Sequence, residues 1–236
     1  MKGSQYAILK LVESDSFLDS MNRLIKSTDA EIKVYDNWMP KSLQLDREAE
    51  LKDFLKFNFD PKLGSDIFNW WLQYNGTTPK WDMISTCTIS GKRGLLLIEA
   101  KAHRSELEDA KLGNSSGTSE NSKMNHDRID KAIKQANSAI NEQVEGVAIS
   151  RDKYYQLSNR VAHAWWLADK GIPVVLLYLG FLNCKDMDNC KNKLFKTDQD
   201  WQTSFIEHAK QVGVDKLLGK KVDCGEAEFQ MISKSI

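Results

Sequence analysis

Cysteine is scarce in this chain: Cys87, Cys184, Cys190 and Cys224 are the whole set, and no two of them form a C-x-x-C pair. That spacing argues against a clustered zinc site and leaves free thiols as the default, with a Cys184–Cys190 link still open. Long apolar runs are missing too. None approaches the ~18 residues of a membrane-spanning helix, so no membrane partner is expected. The opening segment MKGSQYAILKLVESDS is too interrupted for a signal peptide, and the expected location is the cytoplasm. Charge of one sign is not in excess, since 33 Lys and Arg face 33 Asp and Glu. A protein that coats nucleic acid without specificity is therefore disfavoured, whereas a cleft with a local basic lining is not. No internal repeat stands out. At 236 residues and 41% hydrophobic composition, the chain can build a core as one large domain or two small ones.

What is present concentrates in residues 78–103, TPKWDMISTCTISGKRGLLLIEAKAH. Residues 81–89 are β-branched and apolar without proline, which predicts a strand. Residues 90–94, SGKRG, form a turn cluster, and LLLI at 95–98 predicts a strand buried on both faces. Joined by such a turn, the two make an antiparallel hairpin. That hairpin returns Glu99 and Lys101 to the end where Asp82 begins. Glu99 and Lys101 are two apart, so an extended backbone projects both to one face. Ala100 points the other way and leaves its carbonyl near the acids. Two carboxylates and a carbonyl are hard oxygen donors suited to Mg2+ or Mn2+. Such an ion polarises a phosphoryl oxygen and acidifies a water, while an ammonium beside it meets developing negative charge. Ionisable groups at the end of so apolar a run also need a reason to be there, because a buried charge is costly unless paired or metal-bound.

The set Asp82 with Glu99-Ala100-Lys101 resembles the motif of the PD-(D/E)XK nuclease superfamily, the restriction-endonuclease-like fold. Trp81 stands where the name-giving proline would precede the acid, with Pro79 three before it, a departure at a variable position. The resemblance spans roughly residues 44–181. It implies an α/β protein with an α-β-β-β-α-β core and a mixed central sheet flanked by helices. On this reading residues 1–43 are an N-terminal addition, 44–182 the core with a helical insertion at 104–150, and 183–236 a C-terminal extension of one compact domain. The implied activity is metal-dependent phosphodiester hydrolysis, most readily of DNA, with Asp82, Glu99 and Ala100 as ligands and Lys101 as the catalytic cation. The alternative is a nuclease-fold module that binds nucleic acid or protein without cutting.

A helix over 45–58 carries Leu51, Phe54 and Leu55 on one face. The resemblance implies an acid reaching the metal from it, which selects Glu48 as a catalytic and metal-binding residue. The aromatic group Phe68, Trp70, Trp71 and Tyr74 reads as core in preference to a base-stacking surface. His103 lies two beyond Lys101 and is a candidate for contacting substrate. GNSSGTSEN at 113–121 reads as a connector. Helices are predicted over 125–144, with Ile129, Ala132, Ile133, Ala136 and Ile140 inward, and over 154–169, ended by Gly171. The second is followed by a buried strand at 172–179. On its flank, Gln156 is a candidate beside the catalytic centre and Arg160 a candidate phosphate ligand. Residues 5–12 predict a strand, 16–26 a helix, 31–38 an extended piece, 201–212 a helix and 228–232 a last strand. The tail leaves room for a homodimer contact.

Overall fold

The computed structural model describes residues 3–108, 119–185 and 193–236. The protein is a mixed α/β structure whose main sheet runs β1-β5-β6-β7-β9-β8, with β2 also pairing β5. The long strands are β5 (Met83–Ile89), β6 (Lys92–Lys101), β7 (Val174–Gly180) and β9 (Glu228–Ser235). Shorter pieces are β1 (Ala30–Glu31), β2 (Trp38–Met39) and β8 (Lys221–Asp223). A second ribbon pairs β3 (Ala49–Glu50) with β4 (Lys80–Trp81). Helices α1 (Gly3–Val12), α2 (Phe17–Ile25), α3 (Leu51–Asn58), α4 (Pro61–Trp71), α5 (Glu120–Asn141), α6 (Tyr155–Asp169) and α7 (Asp198–Lys210) cover the sheet.

The hairpin forms as expected but turns more tightly than the SGKRG cluster suggested. Ser90 and Gly91 both take positive φ, 48° and 79°, and pairing resumes at once with Ile89 opposite Lys92. Positive φ at both central residues is the type I′ geometry whose twist matches the flanking strands. Antiparallel register then runs to Met83 opposite Ile98. After β6 the chain crosses through α5 and α6 and returns as β7, parallel to β6 with Glu99 beside Tyr178. β9 adds parallel to β7 on its far side, with Val174 beside Phe229. β6 and β7 are thus interior strands covered on both faces, which is why LLLI and VVLLYL carry no alternation.

Alternation along β6 sorts the chain into two apolar layers. Leu96, Ile98 and Ala100 face α1 and α2, with Met21, Ile25 and Phe17 among the buried residues there. Leu95 and Leu97 face the larger layer built from α3 to α7. The α5 stripe Ile129, Ala132, Ile133, Ala136 and Ile140 is buried as its period requires. Helix α6 is buried on every side from Leu157 to Ala168, since it lies between the sheet and the α4–α5 layer. This position forces its polar residues Asn159, Arg160 and His163 to find partners inside the protein. Helix α4 starts where Asp60 accepts a hydrogen bond from the Lys62 N–H and Pro61 occupies the first turn.

Three elements differ from expectation. Residues 5–12 form helix, not strand: a short apolar run does not reveal its period, and the buried set Ile8, Leu11 and Val12 follows helical spacing. The helix expected over 45–58 begins only at Leu51, because Ala49 and Glu50 are held extended by pairing with Trp81 and Lys80. The extended piece at 31–38 is reduced to the two-residue strands β1 and β2, which pair with opposite ends of β5. The segments at the two ends of the chain are tied to the same sheet: α1 and α2 cover one face, and β9 pairs with β7. The aromatic group divides, with Trp71 and Leu72 in the core and Phe68 and Trp70 packed half-buried against it. Most of the connector at 113–121 and the residue Cys190 lie outside the described residues. Cys87 and Cys224 are free thiols, both pushed up by burial, Cys224 to about 12. No helix among the described residues is long and apolar enough to cross a membrane.

Candidate active site

Six residues singled out from the sequence meet at the end of β6. The chain bends between β4 and β5 at Asp82, and the Asp82 carboxylate accepts a 2.8 Å hydrogen bond from the Ala100 N–H. That bond fixes the Asp82 carboxylate against the Glu99-Ala100-Lys101 tripeptide. Glu99 and Lys101 project together from the face opposite Ala100, and Lys101 Nζ donates to Glu99 Oε1 at 2.7 Å. Lys101 Nζ also donates to Gln156 Oε1 of α6 at 2.9 Å, and Arg160 Nε donates to Glu99 Oε2 at 2.7 Å. Glu99 is 2% exposed, Lys101 6% and Arg160 5%, so this is an interior charge cluster.

The direction of the Ala100 carbonyl follows from its neighbours. The Phe181 N–H donates to the Lys101 carbonyl, so Lys101 turns its carbonyl toward β7. Carbonyls alternate along a strand, and that of Ala100 therefore leaves on the Asp82 side, as its own N–H does.

Electrostatics separates the two acids. Burial pushes the Asp82 carboxyl up to about 7 and the nearby Glu99 charge pushes the same way, against Lys101, the Ala100 N–H and Arg160. Burial also works to raise Glu99, but the charges of Arg160 and Lys101 overcome it and hold Glu99 below the usual carboxylate range. One acid is thus firmly ionised and its neighbour is poised to lose or hold a proton. Two acidic and two basic groups share the cluster, which offsets part of the several kcal/mol that each buried ion costs.

Arg160 is more heavily committed than a phosphate ligand would be. Nε bonds Glu99, Nη1 bonds Asn159 Oδ1 at 2.8 Å, Nη2 bonds the Lys80 carbonyl at 2.6 Å, and the guanidinium lies 4.5 Å from the Trp81 ring centroid. Its geometry is that of a residue orienting Glu99. Gln156 similarly orients Lys101. Glu48 does not come from a helix. It precedes β3, is half-buried, and makes no hydrogen bond or ion pair among the described residues. The neighbouring Glu50 bonds the Thr78 N–H and hydroxyl and pairs with Lys52 at 3.3 Å. His103 is buried beyond the end of β6. Its Nε2 lies 3.9 Å from Glu106, and no hydrogen bond among the described residues joins it to Asp82, Glu99 or Lys101. The Glu106 carboxylate caps the Ala102 and His103 N–H groups.

Tyr178 was not anticipated. It lies beside Glu99 in the parallel register, its ring tilted against Phe205 at 4.8 Å, and its buried hydroxyl has no hydrogen-bond partner among the described residues. Burial and the Glu99 charge raise its phenol well above the ordinary value. A lone phenol in VVLLYLG was the available signal, but only the register of β7 against β6 says which residue it meets.

The donor set suits a hard divalent cation in kind. Mg2+ needs only one or two carboxylates when it keeps several waters, and a half-buried acid that feels the charge of a buried one is the pattern such an ion relieves. Among the described residues no group of three or more His, Cys, Asp and Glu side chains is gathered for metal binding, so Asp82, Glu99 and the Ala100 carbonyl are the donors at hand. Comparison with family models, curated proteins and solved structures yields no match.

Proposed function

We propose that the protein is a divalent-metal-dependent nuclease, hydrolysing phosphodiester bonds of nucleic acid, DNA in the first instance. The observation that carries the reading is the Asp82–Ala100 hydrogen bond, because it brings the second acid to Glu99 and Lys101 across the hairpin. The restriction-endonuclease-like arrangement is part of the proposal. It is supported by helices before the hairpin, an antiparallel β5–β6 pair and a helical crossover to the parallel strand β7. The first of the three strands that this fold implies has only the short β1 and β2 to represent it.

Asp82, Glu99 and the Ala100 carbonyl would hold Mg2+ or Mn2+, which when bound polarises a phosphoryl oxygen and lowers the pKa of a water. The chain's own contribution is positional. Gln156 and Glu99 fix the Lys101 ammonium on the acid face, where it orients the attacking water and meets the charge that develops on the phosphate. Arg160 holds Glu99 ionised and in place. Each Glu99 oxygen already accepts from a cation, so an ion there would take a remaining lone pair or replace one of those contacts.

That engagement favours a second reading, in which Arg160 and Lys101 permanently neutralise Glu99 and the fold serves as a binding module without catalysis. The two readings part under one experiment. Labelled single-stranded, duplex and branched DNA and RNA are incubated with Mg2+ or Mn2+ and the wild type, Asp82→Asn or Lys101→Ala protein. The nuclease reading expects cleavage by the wild type and a loss of a hundredfold or more in either variant, with unchanged far-UV spectra. Cleavage that survives both substitutions rejects this site, and metal-independent binding without any cleavage supports the module.

A further inference from the structure

A cavity of about 410 Å³ opens between the β2 segment and α3, and nothing above assigns it a role. It lies alongside the candidate active site. β2 pairs with β5 so that Met39 stands opposite Ile84, two residues past Asp82. β3 pairs with β4 so that Ala49 stands opposite Trp81, and Glu48, a wall of the cavity, and Asp82 each lie one residue beyond that pair.

The walls differ in chemistry. Phe57 supplies aromatic surface that is 79% exposed and so not held there by core packing, and the half-buried Trp38, whose ring lies 5.0 Å from that of Phe17, adds its remaining exposed part. Lys41 and Arg47 supply positive charge. Neither has an ion-pair partner among the described residues, and Lys41 Nζ stands 4.6 Å from the Trp38 ring centroid. Three acids also line it, Glu48, Asp53 and the Lys52-paired Glu50, and all three are half-buried whereas Lys41 and Arg47 are exposed, which makes the inner side acidic and the rim basic. An anion is repelled from such an interior but attracted to its basic rim, while the amino and imino edge of a base is accepted by carboxylates. The volume is near the lower end of the ~300–1,000 Å³ range of small-ligand sites, enough for one nucleotide and too little for a base pair within a duplex.

We infer that this cavity receives one unpaired nucleotide of a strand whose phosphodiester lies at Asp82 and Glu99, the base against Trp38 and Phe57 and the phosphates at Lys41 and Arg47. The inference rests on the nuclease reading for the position of the phosphodiester, and it narrows the substrate class to single-stranded or locally unpaired nucleic acid. The aromatic group at 68–74 does not fill this role, because Trp71 is core and Trp70 is packed against His163 and Trp166.

The test is binding in EDTA, followed by anisotropy of end-labelled oligo(dT), oligo(U) and a blunt duplex of equal length, with the full-length protein. The expected result is single-strand binding about tenfold tighter than duplex binding. Phe57→Ala and Arg47→Ala should each weaken single-strand binding by about tenfold, with the melting temperature unchanged because both side chains are exposed. A preference for either single strand over the duplex supports the inference and identifies the sugar accepted. Absence of oligonucleotide binding, preference for the duplex, or indifference to both substitutions overturns it. The two proposals fail separately. Asp82-dependent cleavage with binding indifferent to Phe57 removes the pocket alone, and Phe57-dependent binding without cleavage removes the nuclease alone.

Discussion

Two buried side chains report on this interior through groups that lie outside its ion pairs. The Tyr178 hydroxyl has no partner among the described residues, and an unmade buried hydrogen bond costs about 1–3 kcal/mol. Tyr178→Phe is therefore expected to raise unfolding free energy by roughly 1 kcal/mol, read from urea midpoints. A lowered midpoint would show that the hydroxyl is bonded in solution. His163 is wedged against Trp71 at 4.3 Å with Nδ1 facing the Asn159 carbonyl at 2.7 Å. Burial pushes it down to about 3 from 6.5, with the Arg160 charge acting in the same direction and the Asn159 carbonyl against both. The native ring stays neutral while the unfolded chain takes up a proton below pH 6.5, so its stabilising contribution is complete above pH 6.5 and is lost as pH falls toward 3. His163→Phe should remove that term. The stability difference between wild type and variant should then move in the variant's favour by about 1.4 kcal/mol per pH unit below 6.5, and a constant difference would show the ring titrating normally.

At the scale of elements, the hairpin is the piece whose sequence and geometry agree most closely, with one local conflict. Ser90 sits at φ 48° where a type I′ turn favours asparagine before Gly91. Ser90→Asn should stabilise by roughly 0.5 kcal/mol, since its bond to Asp29 is exposed and 3.2 Å long. A fall in melting temperature would mean that the serine hydroxyl matters more than the backbone preference. Helix α5 is readable because its buried residues recur at helical spacing within one segment, whereas the all-round burial of α6 comes from its place in the fold. Helix α1 was misread because YAILKLV satisfies either period, and the start of α3 was misplaced because LDREAE looks helical until β4 pairs with it. Glu48 was assigned to a helix for the same reason.

For the whole molecule, what matters is that the last segment is interlocked with the middle one. A Cβ placed on Gly180 at the end of β7 would lie 2.3 Å from the Trp201 ring of α7. Trp201 is itself fully buried against Phe195 and Phe205. Gly180→Ala should thus destabilise the entire protein by about 3 kcal/mol or more. Tryptophan fluorescence and far-UV circular dichroism should shift to lower denaturant together, as one cooperative unit requires. Separate midpoints for the two probes would show that residues 193–236 unfold independently of the sheet.

The sequence alone determined the local matters. It marked the hairpin, the acid at each end of it, the lysine two beyond Glu99, and the buried stripes of the two central helices, because period and turn chemistry act over a few residues. Tertiary structure decided what those groups do to one another. Arg160 clamps Glu99, Tyr178 stands beside it, Glu48 precedes a strand and lines a cavity, and Trp38, Lys41 and Phe57 gather at that cavity. Each of these is a meeting of segments far apart in the chain, and strand pairing and burial, which the order of residues does not display, set which side chains meet.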